Sequence, residues 1–332
     1  MEQWMNAYVH VNDRYEVRRV KRPSIGRHDV LIEMKAAGLN RRDLYINDRR
    51  YGEEEPLVLG SDGAGVIVAC GEGVTRFKKG DAVLVNPSLR WFEQSAYPPA
   101  EHDILGMPDD GTFASYLAIH EEQVEAAIDH LSWEENAAIA LAGMTGYRAI
   151  VTKGQVTEQD TVLIPGASSG VATFMVQYAK TRGARVIVTT RSEKKAEALR
   201  ALGVDRVVST TDDWKKELAE ETITLIVDSV GSATFHRSMD VLAKGGRLVT
   251  FGSSTEDEVS FDVRQFFYAQ QSIYGSTMGC REELRAVLDE VRSRNVTPVI
   301  DRVVPFEQIE EAFETLENST QVGKVIIRLP NR

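Results

Sequence analysis

Residues 164–172 read Ile-Pro-Gly-Ala-Ser-Ser-Gly-Val-Ala, an apolar run that ends in a tight turn, and the helical spacing of "TFMVQYAKTRG" follows directly. A strand that feeds a helix in this way makes an anion site, because the first helical N–H groups lack partners and the helix dipole favours negative charge. A dinucleotide fingerprint has glycine at three positions of G-x-G-x-x-G. Here those positions hold Ala167, Ser169 and Ala172, with Gly170 beside the middle one. Ala167, Ser168 and Ser169 are small enough to let a pyrophosphate approach the backbone, and Gly170, followed by Val171, supplies freedom at the closest point. The same letters also suit an ordinary strand-to-helix turn capped by serine.

The next apolar run, "RVIVTT", ends where an NAD enzyme would place a carboxylate on the ribose, and Thr190 stands there instead. Arg191, Ser192 and Lys195 follow, able to meet a 2′-phosphate by charge and hydrogen bond, so NADP(H) is favoured over NAD(H). Ser192 as a helix cap with solvated lysines behind it is the plainer alternative.

These residues need a scaffold. Residues 1 to about 140 show short alternating runs such as "DVLIEMKAAG" and "GAGVIVACGEG" separated by glycine, proline and charged turns, the pattern of irregular antiparallel β structure. From about Ala142 strands alternate with amphipathic helical stretches, which predicts a parallel, doubly wound sheet. Within it Val171, Met175, Tyr178 and Ala179 share one helical face, and Gly183 closes that helix. After Cys280 the pattern is mixed, a helix followed by "VIDRVVPFEQIEEAFETLENSTQVGKVIIRLP", which ends in a strand.

A chain of 332 residues exceeds one compact core, and 42% hydrophobic content can build two. The net charge of -11, with no run of lysines and arginines, argues against nucleic acid or an anionic membrane surface as partner. Cys70 and Cys280 are the only cysteines, too few for a disulfide framework or a four-thiolate metal site, and a reducing cytoplasm fits. No secretory leader or apolar stretch of about eighteen residues is visible, so a cytoplasmic location is expected.

The segments "AAIALAGMTGYRAI", "VLIPGASSGVATFMVQYAKTRGARVIVTTRS", "PLVLGSDGAGVIVACGEGVTRFKKGDAVL" and "VVPFEQIEEAFETLENSTQVGKVII" resemble the medium-chain dehydrogenase/reductase superfamily. The resemblance implies an α/β protein with a GroES-like, β-rich catalytic domain from residues 1–142 and 280–332, a Rossmann domain over 143–279 and a cofactor cleft at their junction. It also implies a homodimer paired through the last Rossmann strand near "QQSIYGST". Thr145 matches a position beside the nicotinamide, and the strand-end turns Ser229 to Gly231 and Phe251, Gly252 and Ser253 match further cofactor contacts. Helix packing and ordinary glycine turns are their plainer uses.

Zinc members of the superfamily carry cysteine in a Gly-Ile-Cys segment and histidine in a Gly-His-Glu segment. Here these read Gly38-Leu39-Asn40 and Gly60-Ser61-Asp62, neither suited to a thiolate–imidazole zinc site. Between Asn86 and Thr112, where a structural zinc lobe needs four cysteines, there is none. Glu101, His102 and Asp103, with Asp62, are the remaining metal-capable side chains, and a solvated loop is the simpler reading. No metal is expected. Without a Lewis acid a simple alcohol is a poor hydride donor, whereas quinones and activated alkenes accept hydride given positioning, a donor to the carbonyl oxygen and sometimes a proton source.

The Gly-Leu-Asn-x-x-Asp segment resembles the zinc-free quinone oxidoreductase and enoyl reductase branch. That resemblance places Asn40 near nicotinamide and substrate, Tyr45 and Tyr51 in the cleft, and the second tyrosine as proton donor. An asparagine that satisfies backbone groups and tyrosines that merely pack are the alternatives. Arg41, Arg42, Arg49 and Arg50 make this loop basic, either to attract an acidic substrate or as solvated surface. The expected activity is NADPH-dependent reduction of quinones or α,β-unsaturated carbonyls. A metal-replaced alcohol dehydrogenase and a cofactor-binding protein with little turnover are the competing readings.

Overall fold

The computed structural model describes residues 3–330. The chain divides into two compact units, Met1–Ala142 with Cys280–Leu288 and Pro298–Arg332, and Gly143–Gly279 with Asp289–Thr297.

In the second unit six strands run parallel, in the spatial order Arg206–Ser209, Arg185–Thr190, Thr161–Ile164, Ile223–Asp228, Leu242–Thr250 and Ser272–Gly275. Counted from the first strand of this unit the order is 3-2-1-4-5-6, the doubly wound arrangement that reverses direction beside its first strand. The central strands are apolar on both faces: Val162, Leu163, Val186, Ile187, Leu225 and Ile226 are all fully buried. Parallel strands covered by helices on both sides require such runs. The helix Gly170–Thr181 buries Phe174, Met175, Val176, Tyr178 and Ala179, while Val171 stays partly exposed. Ala172 and Thr173 are buried as well, so the burial starts one residue after Val171. Gly183 at φ 79° ends it in the left-handed region. Residues 289–297 belong with this unit because Gln177 clamps Thr297, its amide nitrogen donating to the Thr297 carbonyl at 3.0 Å and its oxygen accepting the Thr297 N–H at 2.8 Å.

The first unit is built on the strand Asp29–Leu39, which pairs antiparallel with Asp62–Cys70, Tyr116–His120 and Lys324–Arg328. The strand Ile300–Pro305 adds in parallel to Lys324–Arg328. Register decides the site: Gly38 lies opposite Asp62, and Leu39 lies opposite Val325. Asn40, Asp62 and Lys324 are thus delivered side by side from three neighbouring strands. Glycine is needed at position 38, where a Cβ would stand 2.6 Å from the Ala137 carbonyl oxygen and 3.0 Å from the Asp62 Cβ.

The segment between Asn86 and Thr112 is mostly irregular, with residues 93–97 and Glu101 exposed, but it is anchored at defined points. Trp91 is almost completely buried and meets the His102 ring edge-on at 5.2 Å between centroids. Arg90 ties the segment together, donating to the Glu101 carbonyl and pairing with Asp103 and Asp109. An aromatic plug and one guanidinium hold here what sequence patterning, blind to long-range packing, reads as loop.

Candidate functional site

In the first unit Asn40 sits in a closed, buried network. The Lys324 ammonium donates to the Asn40 Oδ1 at 2.6 Å, the Asp62 Oδ2 at 2.8 Å and the Leu39 carbonyl at 3.0 Å, which uses all three of its hydrogens. Asn40 Nδ2 in turn donates to Asp62 Oδ2 at 3.0 Å and to the Gly38 carbonyl at 3.2 Å. The second Asp62 oxygen accepts the Leu141 N–H at 2.7 Å, so this carboxylate is held at both ends. Side chains of Lys324 and Asp62 are 4% and 0% exposed. An isolated charge in such a place costs several kcal/mol, so the pair persists only because each partner is saturated.

Asp43, one turn on from Asn40, is fully buried; its Oδ2 accepts the Asn40 N–H at 2.8 Å and its Oδ1 has no partner. Burial pushes its carboxyl up to about 6, against the opposing pull of Arg42. Because this value lies above that of an unfolded aspartate, the stability it contributes is present below about pH 4 and lost as pH rises through about 6. Asp43→Asn is accordingly expected to raise the unfolding temperature at pH 8 and to flatten the fall in stability between pH 4 and 6, an effect of up to about 3 kcal/mol. Thermal scans across that range check it, and an unchanged slope would show that Asp43 is already ionised at low pH.

Neither tyrosine joins this network. Tyr45 is 37% exposed and Tyr51 81% exposed. The arginines are less free than a solvated surface would have them. Arg42 donates to Ser61 Oγ at 2.7 Å and the Leu105 carbonyl at 2.9 Å, Arg41 reaches Ser319 at 3.1 Å, and Arg50 reaches His10 and the Glu55 carbonyl. Among the described residues no group of three His, Cys, Asp or Glu side chains is arranged to hold a metal ion.

The second unit places the sequence-marked cofactor residues other than Thr145, which lies in the helix Ala140–Tyr147, at or just beyond the carboxyl ends of its strands. Ser169 caps the helix, its hydroxyl accepting the Ala172 N–H at 3.1 Å, with Gly170 and Val171 as the first helical residues. Behind the turn Thr189 fixes the backbone, its hydroxyl accepting the Gly166 N–H and its carbonyl the Ala167 N–H, both at 3.1 Å. Lys195 crosses from the next helix and donates to Ser168 Oγ at 3.1 Å, bringing a cation to this strand-to-helix turn. Thr190 is buried, Arg191 is exposed, and the Ser192 N–H donates to the Thr190 hydroxyl at 3.4 Å.

The two later turns also meet. A Cβ on Gly252 would stand 3.6 Å from Ser229 Cβ, and a Cβ on Gly231, which has φ +94°, would fall 2.4 Å from Ser253 Oγ. Phe251 joins them through its N–H to the Asp228 carbonyl at 3.2 Å. Thr145, in the same unit, is buried with its hydroxyl 3.9 Å from the Met278 sulfur. A small-residue cradle, a capped helix N-terminus and a lysine at the turn fit a nicotinamide dinucleotide by size and charge.

Sequence reasoning missed three supports. Asp228 holds the Ser229–Gly231 turn, one oxygen accepting the Val230 N–H at 2.7 Å and the other the Thr234 hydroxyl at 2.7 Å; the strand-end carboxylate in "IVDSVG" was the available signal. Thr189 was visible only as another β-branched strand residue. Lys324 carried no local signal, since its partners lie 262 and 284 positions away.

Comparison with known proteins agrees with this geometry. Residues 26–129 match the alcohol dehydrogenase GroES-like domain and residues 170–293 the zinc-binding dehydrogenase domain. The chain is 30% identical to acryloyl-coenzyme A reductase of Metallosphaera sedula over 325 residues, covering 94% of this chain and 96% of that one. It is 28% identical to human (Homo sapiens) quinone oxidoreductase over 316 residues, 91% and 89% of the two chains. A solved structure described as an NAD-dependent alcohol dehydrogenase superposes with TM-score 0.90 at 33% identity, covering 98% of this chain and all of that one. With a GroES-like β domain, a six-stranded parallel dinucleotide fold and relatives along nearly its whole length, the chain belongs to the medium-chain dehydrogenase/reductase superfamily of nicotinamide-dependent oxidoreductases.

Proposed function

We propose that the protein is a zinc-independent, NADPH-dependent reductase that transfers hydride to quinones or α,β-unsaturated carbonyls. The observation that carries this reading is the Lys324 ammonium lodged between Asn40 and Asp62. The side chains at the two zinc-ligand positions are an asparagine and a serine, and the nearest carboxylate is already neutralised by a buried cation. A divalent ion would have to share that space with an ammonium, a repulsion that no thiolate or imidazole offsets. Relatives that reduce an activated alkene or a quinone support the choice of acceptor.

NADPH, when bound, supplies the hydride; the chain supplies placement. Thr190, Arg191, Ser192 and Lys195 take the 2′-phosphate, the 167–171 turn takes the pyrophosphate, and Thr145, Ser229 to Gly231 and Phe251 to Ser253 line the remainder. Asn40 orients the acceptor's carbonyl by giving it the amide hydrogen now on the Gly38 carbonyl, the longer of its two donated bonds. Tyr45 positions the substrate and Tyr51, open to solvent, returns a proton to the alkene carbon. Purified protein is expected to oxidise NADPH with quinones and enones, undiminished by chelator, and Tyr51→Phe to slow enone reduction while sparing quinones. Turnover of simple alcohols that depends on added zinc would overturn the assignment.

Assembly as a homodimer belongs to the same proposal. The strand Ser272–Gly275 ends the six-stranded order with Tyr274 exposed, and the helix Val263–Tyr268 that precedes it buries none of its residues, leaving Val263, Phe267 and Tyr268 exposed. Pairing two such edges about a two-fold axis covers the apolar surface and closes the assembly. Light scattering should give twice the chain mass, and Tyr274→Asp should shift it towards the monomer; a wild-type monomer at micromolar concentration refutes the pairing.

A further inference from the structure

The geometry points to Lys324 as a positioning residue that, together with Asp62, fixes which end of the Asn40 carboxamide faces which partner. This rests on the reading that Asn40 serves the substrate carbonyl. A carboxamide can be turned over at little steric cost, exchanging a donor for an acceptor. Here the two ends meet opposite demands. The ammonium at 2.6 Å accepts nothing and requires the oxygen, while the carboxylate at 3.0 Å donates nothing and requires the nitrogen. Turning the group over would set NH2 against ammonium and oxygen against carboxylate among buried groups, so one orientation is enforced by charge.

The enforced orientation has a chemical consequence. One Asn40 N–H is tied to Asp62, and the other, at 3.2 Å from the Gly38 carbonyl, is the donor that a substrate oxygen can take over. In the reversed orientation the same position would present a carbonyl oxygen and repel an acceptor's developing negative charge. Lys324 touches neither substrate nor cofactor in this scheme; it acts through Asn40.

The test uses the full-length protein with NADPH, a quinone and an enone. Lys324→Met removes the ammonium but leaves Asp62 buried and unpaired, so it is accompanied by the double variant Asp62→Asn with Lys324→Gln, which keeps hydrogen-bonding groups and removes both charges. The neutral pair can satisfy either Asn40 orientation. The double variant is expected to unfold near the wild-type temperature and bind NADPH within about twofold, yet to lose about 10- to 100-fold in kcat with a smaller change in KM. With NADPH deuterated at the transferred position, the isotope effect on kcat should rise as hydride transfer becomes slower than the other steps. A double variant that recovers stability and wild-type kcat together overturns the proposal, leaving the pair a purely structural role. If the wild type reduces neither acceptor class, the reductase reading itself fails, and the two failures are distinct.

Discussion

Asn40→Ala is expected to lower kcat/KM for quinones and enones by about 30- to 1000-fold, the range for one hydrogen bond that strengthens in a transition state, while the NADPH dissociation constant changes little. The structure adds a second effect. Alanine leaves the Lys324 ammonium one acceptor short and Asp62 one donor short inside a buried cluster. An unmet buried partner costs about 1 to 3 kcal/mol, so the unfolding temperature should fall by several degrees as well. Kinetics are therefore measured well below the new transition. Full activity with an intact melting temperature would remove Asn40 from both the chemistry and the scaffold.

The combined Arg191→Ala and Lys195→Ala variant is expected to weaken NADPH binding by about 100-fold or more, from two charge-assisted contacts of about 1.5 to 3 kcal/mol each, and to change NADH binding only slightly. Wild-type protein should accordingly prefer NADPH by at least about tenfold, and the preference should shrink as salt rises. Thr190 stands where a carboxylate would repel the extra phosphate, and Lys195 is already drawn to the turn by Ser168. Titration of cofactor fluorescence with both nucleotides decides the matter: equal dissociation constants would mean that Arg191 and Lys195 are only surface charge.

Where the sequence was legible, the reason was local. Apolar runs such as Val162–Ile164 and Val186–Val188, broken by small-residue turns, announce buried parallel strands and a tight strand-to-helix turn without knowledge of anything distant. Asn40 and Ser61 at zinc-ligand positions were equally readable as departures from a thiolate and imidazole set. What escaped depends on partners remote in sequence. That the asparagine would be locked by Lys324 follows from strand register, Leu39 opposite Val325 and Gly38 opposite Asp62, which no window of neighbouring residues contains. The lobe around Trp91 hid for the same reason, since a tryptophan among prolines and charges gives no periodic signal.

The delivery of Lys324 by the closing strand bears on how the protein is made. A nascent chain on the ribosome presents Asp62 and the strand Asp29–Leu39 well before the cation that neutralises this carboxylate, which follows 262 positions later together with the strand that pairs with Ala36 to Leu39. Until they emerge, the half-built sheet exposes an open apolar edge beside a carboxylate it cannot bury. The dinucleotide unit, whose strands all lie between Thr161 and Gly275, is complete sooner. Synthesis thus imposes an order in which the second unit can fold while the first must wait in a form that chaperones would recognise, and a ribosome stalled before Lys324 releases a chain with a finished cofactor fold and no finished site.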